Sequence, residues 1–295
     1  MATVETVTAS NQSILSSLQR PLHVVVVGGT SGIGRGIALA YGRHCPDAHV
    51  TIVGRNETAA NEILAQLGPH GKFIRCDCTL MSEIRKITPK IDAVDVLVLS
   101  QGVLRMGPRS PTKENIDDRA ALNYYGRVLF AQELLPLLRA SPIGGKVLFI
   151  LNSKFGNPSK IDWNDLGLER NTSFLTGVKQ IMAFSDLAVQ YLGSQPENTD
   201  VAFIHAYPGS VKTSIGDNLP FYIRWSAKVF DLFGMSCTPD VCAEFMIHGI
   251  LGTEKGWRLI DEKGETVTNK KGSDEEMLKK VWEHTCEMTS RTAES

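Results

Sequence analysis

The 295-residue chain has almost no excess of charge: 31 basic and 32 acidic residues leave a formal net charge of −1. No basic block gathers anywhere along it, so nucleic acid is not an expected partner, because phosphate binding needs clustered Lys and Arg. Long apolar runs are missing as well. The first twenty residues, MATVETVTASNQSILSSLQR, hold no stretch fit for a signal-peptide core, and no later run reaches membrane-spanning length. Cysteine is sparse, and the six thiols, Cys45, Cys76, Cys78, Cys237, Cys242 and Cys286, show neither paired zinc spacing nor the density of a disulfide scaffold. They read as reduced thiols in a cytoplasmic protein that holds no metal. Internal repeats and low-complexity linkers are also absent.

What is present is enough apolar material, 42% of residues, to bury a full core in a single domain. Short β-branched runs alternate with amphipathic stretches, the pattern of repeated βα units around a parallel sheet. Seven strands are expected near His23–Val27, His49–Val53, Lys72–Arg75, Val94–Leu99, Lys146–Leu151, Val201–His205 and Trp257–Ile260. Helices are expected near Ile33–His44, Glu57–Leu67, Ile116–Leu138, Phe174–Leu192, Pro239–Leu251 and Asp274–Glu287. The fold class is therefore α/β, a doubly wound sheet flanked by helices, over residues 21–287. Residues 1–20, rich in Ser and Thr, read as a mobile leader, and 288–295 as a frayed end.

The segment VVVVGGTSGIGRGIALA is an apolar strand running into a glycine-rich loop and then an amphipathic helix. Gly28, Gly32 and Gly34 permit positive φ and close backbone approach, so the helix opening near Ile33 can offer free N–H groups to a pyrophosphate. The candidate contacts are Gly28, Thr30, Ser31, Gly32, Ile33 and Gly34. A strand before the loop and a helix after it mark a dinucleotide-binding, Rossmann-type fingerprint rather than a tight turn alone.

Gly28-x-x-x-Gly32-x-Gly34 resembles the cofactor loop of the short-chain dehydrogenases, with Val27 where threonine is usual, and the resemblance runs along most of the chain. It places the nucleotide-specificity position at Gly54, where an NAD-using member carries an acid for the ribose 2′-OH. Here Arg55 and Asn56 follow instead, and a guanidinium can pair with a 2′-phosphate, so the resemblance implies NADP(H). The competing role for Arg55 is a solvated turn residue. Asp77 and Cys78 resemble the adenine-contacting pair, with Cys78 a packing residue. Leu99-Ser100-Gln101-Gly102 stands where the family has Asn-Asn-Ala-Gly, which retains Gly102 and makes Gln101 an altered wall. His205-Ala-Tyr-Pro208-Gly209-Ser-Val211-Lys-Thr213 resembles the segment that clasps the nicotinamide carboxamide, with Pro208, Gly209, Val211 and Thr213 its implied contacts.

For catalysis the resemblance points to Asn123 in ALNYYGR, to Ser153 in LFILNSKFG, and to Lys179. Asn123 would support a water path to the lysine or serve as a plain helix amide. Ser153 would face the substrate or cap the following turn. The family's Tyr-x-x-x-Lys reads here as Leu175-Thr-Gly-Val-Lys179, and leucine has no proton to offer. An alternative register makes Lys179 an ordinary exposed lysine. Tyr124, Tyr125, Tyr207, Asp162 and Asp165 are the candidates for a replacement acid, each with a packing or capping role as its alternative. Arg127 is read as a helix-surface charge or a binder of an anionic substrate group.

An iminium substrate needs no proton when it accepts hydride, whereas a carbonyl does, and general acid help is worth about 10²–10⁴-fold. Asn218–Met235, rich in aromatic and aliphatic residues, falls where the family places its substrate-covering helices, about residues 213–236. It predicts a pocket for a bulky apolar substrate of secondary-metabolite type, with a dimer surface or membrane-touching patch as alternatives. The expectation is an NADP(H)-dependent oxidoreductase with a nonstandard acid. Its alternatives are a silent dinucleotide-binding protein and a pocket enzyme that cyclises or isomerises without net redox change. The resemblance also implies a possible homo-oligomer.

Overall fold

Four consecutive valines, Val24–Val27, can only be buried on both faces at once, and they form the centre of the sheet. A computed structural model describes residues 2–170, 173–216, 236–270 and 272–291. Its strands are β1 (His23–Val27), β2 (His49–Gly54), β3 (Gly71–Arg75), β4 (Val96–Leu99), β5 (Lys146–Ile150), β6 (Ala202–Ala206) and β7 (Gly256–Ile260). They form one parallel sheet in the order β3-β2-β1-β4-β5-β6-β7. Val27 stands opposite Val53 on one side and Leu99 on the other.

The two-residue period of a strand divides the core into two layers. Val25, Val27, Leu97, Leu99 and Phe149 face one layer, and Val24, Val26, Val96, Val98 and Leu148 face the other. The first layer is covered by α4 (Met81–Ile87), α6 (Gly126–Arg139), α7 (Phe174–Gly193) and α9 (Glu275–Ser290), through residues such as Ile84, Leu129, Phe184 and Val281. The second is covered by α2 (Gly32–His44), α3 (Glu57–Leu67) and α8 (Pro239–Leu251), through Ile37, Ile63 and Met246. Each such side chain contributes on the order of 1.5–3 kcal/mol by leaving water.

Sequential connections run outward from β1 through β2 to β3, and from β4 through β5 and β6 to β7. Neighbouring β1 and β4 therefore send their following loops apart, which opens a crevice at their C-terminal ends. That crevice is where a ligand of this fold class sits.

Three expectations need correcting. The leader is folded as a helix: α1 (Val4–Ser16) is capped by Thr3 and buries Val7, Asn11 and Leu15, one helical stripe at intervals of four. Asn11 Nδ2 donates to Glu244 O at 2.8 Å and to Glu244 Oε2 at 3.0 Å, which docks α1 on α8. Its Ser and Thr content concealed a stripe whose middle member is polar. At the other end α9 continues to Ser290 with Met288 buried, while 292–295 lie outside the described residues. The helix expected over 116–138 comes in parts, with α5 (Asp118–Ala120), a wide five-residue π turn over Ala121–Tyr125, then α6. The segment Asn218–Met235 lies outside the described residues.

Candidate cofactor and active site

A cleft of about 360 Å³ opens at the β1/β4 switch point. Gly28, directly after β1, has φ +80°, and a Cβ there would stand 2.7 Å from Gln101 Cα. Gly34 lets α2 close on the strand end, since a Cβ would lie 2.5 Å from Gly28 O. These two glycines bring the backbone to the cleft wall, and the loop residues Thr30, Ser31, Gly32 and Ile33 line it. Ser31 is the N-cap of α2 but makes no side-chain capping bond, so the first N–H groups of α2 stay available to an anion. The loop thus has the form a pyrophosphate needs.

Arg55 lines the cleft beyond β2, and its exposed guanidinium makes no hydrogen bond or ion pair with the described residues. Gly54 beside it leaves room for Thr30, which a Cβ would approach to 3.0 Å. The far wall comes from Ser100, Gln101 and Gly102 after β4. Ser100 Oγ donates to Val27 O at 2.8 Å and so ties the ends of β4 and β1 together. Gln101 is only 6% exposed, and neither its Oε1 nor its Nε2 has a partner among the described residues. A buried carboxamide with both ends unpaired costs about 1–3 kcal/mol per group unless a ligand or water completes it.

Behind this wall lies a buried cation. Arg127 is 1% exposed, neither on the helix surface nor facing the cleft. It donates through Nε to Gln101 O at 3.0 Å, through Nη2 to the same oxygen, and through Nη1 to Ile150 O at 2.6 Å. Burial lowers its pKa to about 9. Arg127 thus clamps the backbone that presents Gln101. Asn123, in the π turn, accepts from Val103 N–H at 2.9 Å and donates to Val103 O at 2.9 Å, holding the next residues of the same loop. Asn123 is therefore a loop support.

Several other expected contacts find different work. Asn56 caps α3 by accepting from Ala59 N–H at 3.1 Å. Asp77 accepts from the N–H and hydroxyl of Thr79 at 3.1 and 2.8 Å, and it is Cys76, Cys78 and Thr79 that line the cleft. Of the clasp, Thr213 reaches the cleft with Ser214 and Ile215, whereas Pro208, Gly209 and Val211 do not line it. Val211 packs instead against the α2/α8 side of the core.

The catalytic side differs most from expectation. Ser153 is 0% exposed, and its Oγ donates to Ile260 O at 2.6 Å, so it ties the β5 end to β7 and does not face a substrate. Lys179 is exposed on α7, and Leu175 is 64% exposed on its first turn. Neither lines the cleft. Tyr124 and Tyr125 are buried, with hydroxyls on Thr285 Oγ1 at 2.7 Å and His284 Nε2 at 2.8 Å, and burial raises both pKa values. Asp162 accepts from Asn164 N–H at 3.0 Å, and Asp165 accepts from Glu169 N–H at 2.7 Å and Arg170 N–H at 3.1 Å. Tyr207 lies under Lys154 Nζ, 5.1 Å from the ring centre.

Residues the sequence reading passed over also line the cleft: Thr79, Val103, Asp118, Leu122, Ser214 and Ile215. Asp118 is held by Arg105 through bonds of 2.7 and 3.1 Å. Their only sequence signal was position: Thr79 and Val103 stand four residues beyond a strand end, and Asp118, Leu122, Ser214 and Ile215 in the first two positions of a helical segment.

A family model for short-chain dehydrogenases matches residues 22–162, the glycine loop through β5. An oxidoreductase of Emericella nidulans is 34% identical over 227 residues, which is 74% of this chain and 66% of that protein. An oxidoreductase of Emericella variicolor is 30% identical over 200 residues, 65% of this chain and 58% of that protein. The match spans less than two thirds of either relative's own length. In fold the chain is similar to a 3-ketoacyl-(acyl-carrier-protein) reductase of Brucella melitensis solved with NADH, with 18% identity, a TM-score of 0.62, and coverage of 84% of this chain and 98% of that one. The chain belongs to the short-chain dehydrogenase/reductase family.

Proposed function

We propose that this protein binds a nicotinamide dinucleotide, NADP(H) in preference to NAD(H), and works as an oxidoreductase on a bulky apolar carbonyl or imine compound. The observation that carries the reading is the switch-point cleft, which the uncapped start of α2, the glycine-rich backbone, Arg55 and Gln101 line together. The residues suit the group. N–H groups at the start of α2 would hold the pyrophosphate, Arg55 a 2′-phosphate, Gln101 a ligand edge that offers a donor beside an acceptor, and Thr213 the carboxamide end. When bound, the nicotinamide supplies or accepts hydride.

The protein's own part in that chemistry is orientation more than proton transfer. Among the described lining residues, Asp118 is neutralised by Arg105, and the Cys78 thiol is pushed up by its hydrogen bond to Cys76 and by burial. A thiol held that way is no ready acid. An iminium substrate suits such a cleft, since it accepts hydride without a proton. Val103, Leu122 and Ile215 give one end of the cleft an apolar lining that fits an apolar substrate. Both fungal relatives carry oxidoreductase in their names, which supports a redox role in the same setting.

Burial of Ser153 favours a second reading, a dinucleotide-binding protein without turnover. Calorimetric titration with NADPH and NADH tests the first element of both. Micromolar NADPH binding with weaker NADH binding is expected, and no heat with either sinks both readings. NADPH oxidation against a panel of ketones and cyclic imines then separates enzyme from silent binder.

A further inference from the structure

The segment Ser236–Cys242, SCTPDVC, sets a thiol on each side of a helix start. Thr238 is the N-cap of α8, its hydroxyl accepting from Val241 N–H at 3.3 Å, and Pro239 takes the first helical position. Cys237 is then the residue before the cap and Cys242 the fourth of the helix. A capped helix start folds those two positions against each other, normally as an apolar staple. Here both are thiols, set close enough for each to shift the other's ionisation.

Their exposure differs in a useful way. Cys237 is half-buried and within reach of a soluble oxidant, while Cys242 is buried behind it. The neighbouring Cys242 draws the Cys237 pKa below the ordinary thiol value, and Cys237 together with burial pushes Cys242 up. Cys237 is the nucleophile of the pair and Cys242 the resolving thiol.

The pair is also wired to the cleft. Cys237 N–H donates to Ser210 O at 3.0 Å, and its carbonyl accepts from Lys212 N–H at 3.0 Å. Cys242 Sγ donates to Pro208 O at 3.6 Å. Both ends of the turn that leads to Thr213 therefore rest on these cysteines. The N-terminus of α8 meanwhile packs on α2 so closely that a Cβ on Gly36 would lie 2.6 Å from Pro239 O.

We propose that Cys237 and Cys242 are a redox-active dithiol whose oxidation to an intramolecular disulfide weakens dinucleotide binding by shifting the Pro208–Thr213 turn; the coupling rests on the dinucleotide reading above. With glutathione disulfide as oxidant, the Cys237 thiolate attacks one sulfur, the glutathione S–S bond breaks, and one glutathione thiolate leaves and takes a proton. Cys242 then loses its proton and attacks the Cys237 sulfur of the mixed disulfide, and the second glutathione leaves and is protonated. Two protein thiols are oxidised by two electrons, and one glutathione disulfide becomes two glutathione thiols. The new bond removes the S–H that Cys242 gives Pro208 and draws the Cys237 backbone, with its ladder to Ser210 and Lys212, toward α8.

The test equilibrates the full-length protein with reduced and oxidised glutathione at set ratios, alkylates the free thiols after denaturation, and maps them by mass spectrometry. The peptide carrying Cys237 and Cys242 is expected to lose two hydrogens and escape alkylation, while Cys45, Cys76, Cys78 and Cys286 are alkylated. In Cys237→Ser, Cys242 is expected to remain alkylatable. NADPH binding to the oxidised protein is expected to weaken at least about fivefold, within the range of ordinary coupling between sites, and Cys242→Ala to bind equally with and without oxidant. Alkylation of both thiols at every ratio overturns the dithiol, and a disulfide that leaves the affinity unchanged overturns the coupling. If the reduced protein binds no dinucleotide, the functional reading and the coupling fall together, while the thiol map still decides the dithiol.

Discussion

The C-terminal ends of β1, β2 and β4 and those of β5, β6 and β7 lie along one edge of one sheet, yet they treat polar groups in opposite ways. Among the described residues, α2 at the first has no side-chain cap, Arg55 has no ion pair, and Gln101 is buried with both carboxamide ends unpaired. At the second, polar groups find each other. Ser153 donates to Ile260 O, Asn152 N–H donates to His205 Nε2 at 3.1 Å, and His205 Nδ1 meets Asp186 Oδ1 at 2.6 Å. Lys270 closes on Asp186 and Lys154 on Glu262. A site built for a ligand leaves groups unsatisfied that the ligand completes, whereas a network satisfied from within holds elements together. The glycine side leaves polar groups open, and the β5–β7 side pairs its own.

The sharpest way to break this contrast is to fill the glycine cradle. Gly34→Val would drive its side chain into Gly28 O, and it is expected to abolish detectable dinucleotide binding by calorimetry and to cost at least about 1–3 kcal/mol in denaturant unfolding. Intact binding in that variant would show that α2 does not hold the ligand. Next in size, Arg55→Ala is expected to weaken NADPH about 10- to 100-fold and leave NADH unchanged, the loss of a charge-assisted hydrogen bond. Equal losses for both cofactors would move the 2′-phosphate elsewhere.

Gln101→Leu separates poise from structure, because it should move two quantities in opposite directions. Removing an unpaired buried carboxamide is expected to raise the stability of the ligand-free protein by about 1 kcal/mol, read as a higher Tm, while weakening NADPH about fivefold or more. A lower Tm would mean that Gln101 is a structural residue after all.

The β5–β7 side is better probed by acid. Burial lowers the His205 pKa against the pull of Asp186, and burial likewise lowers His284. Between its folded and unfolded pKa the native state binds fewer protons than the unfolded chain, so this contribution is present above pH 6.5 and is lost as pH falls below it. The urea midpoint should therefore be lower at pH 5.5 than at pH 7.5, and His205→Gln should narrow the difference. The smallest effect is expected from Leu175→Tyr. At 64% exposure the new ring stands outside the cleft, so stability should change by less than about 0.5 kcal/mol and ketone reduction should not rise. A large gain in ketone reduction would return α7 to the site.

How much of this was legible beforehand follows the same division. All seven strands, their mostly parallel arrangement and the glycine loop were readable, because β-branched runs and a Gly-rich strand-to-helix turn are local signals, whereas the strand order came with the structure. The α1 stripe was missed because a buried Asn11 interrupts it, and its reason lies 233 positions away at Glu244. The same limit misled the reading of Ser153, Asn56 and Asp77, each a polar side chain whose type suits a ligand but which bonds its own chain. A motif specifies which residue stands at a strand end, not which neighbour reaches it first.

The sequence by itself determined the doubly wound sheet and the glycine-rich turn from its first strand into a helix. These depend on hydrophobic period and on the absence of a side chain, both of which are written residue by residue. Only the tertiary structure decided that Arg127 would lie buried under Gln101, that Ser153 would be closed off by Ile260, and that Cys237 would meet Cys242 across a helix cap beside Pro208. Those outcomes are competitions between distant partners for one donor or acceptor, and the winner is set by packing geometry that no single segment contains.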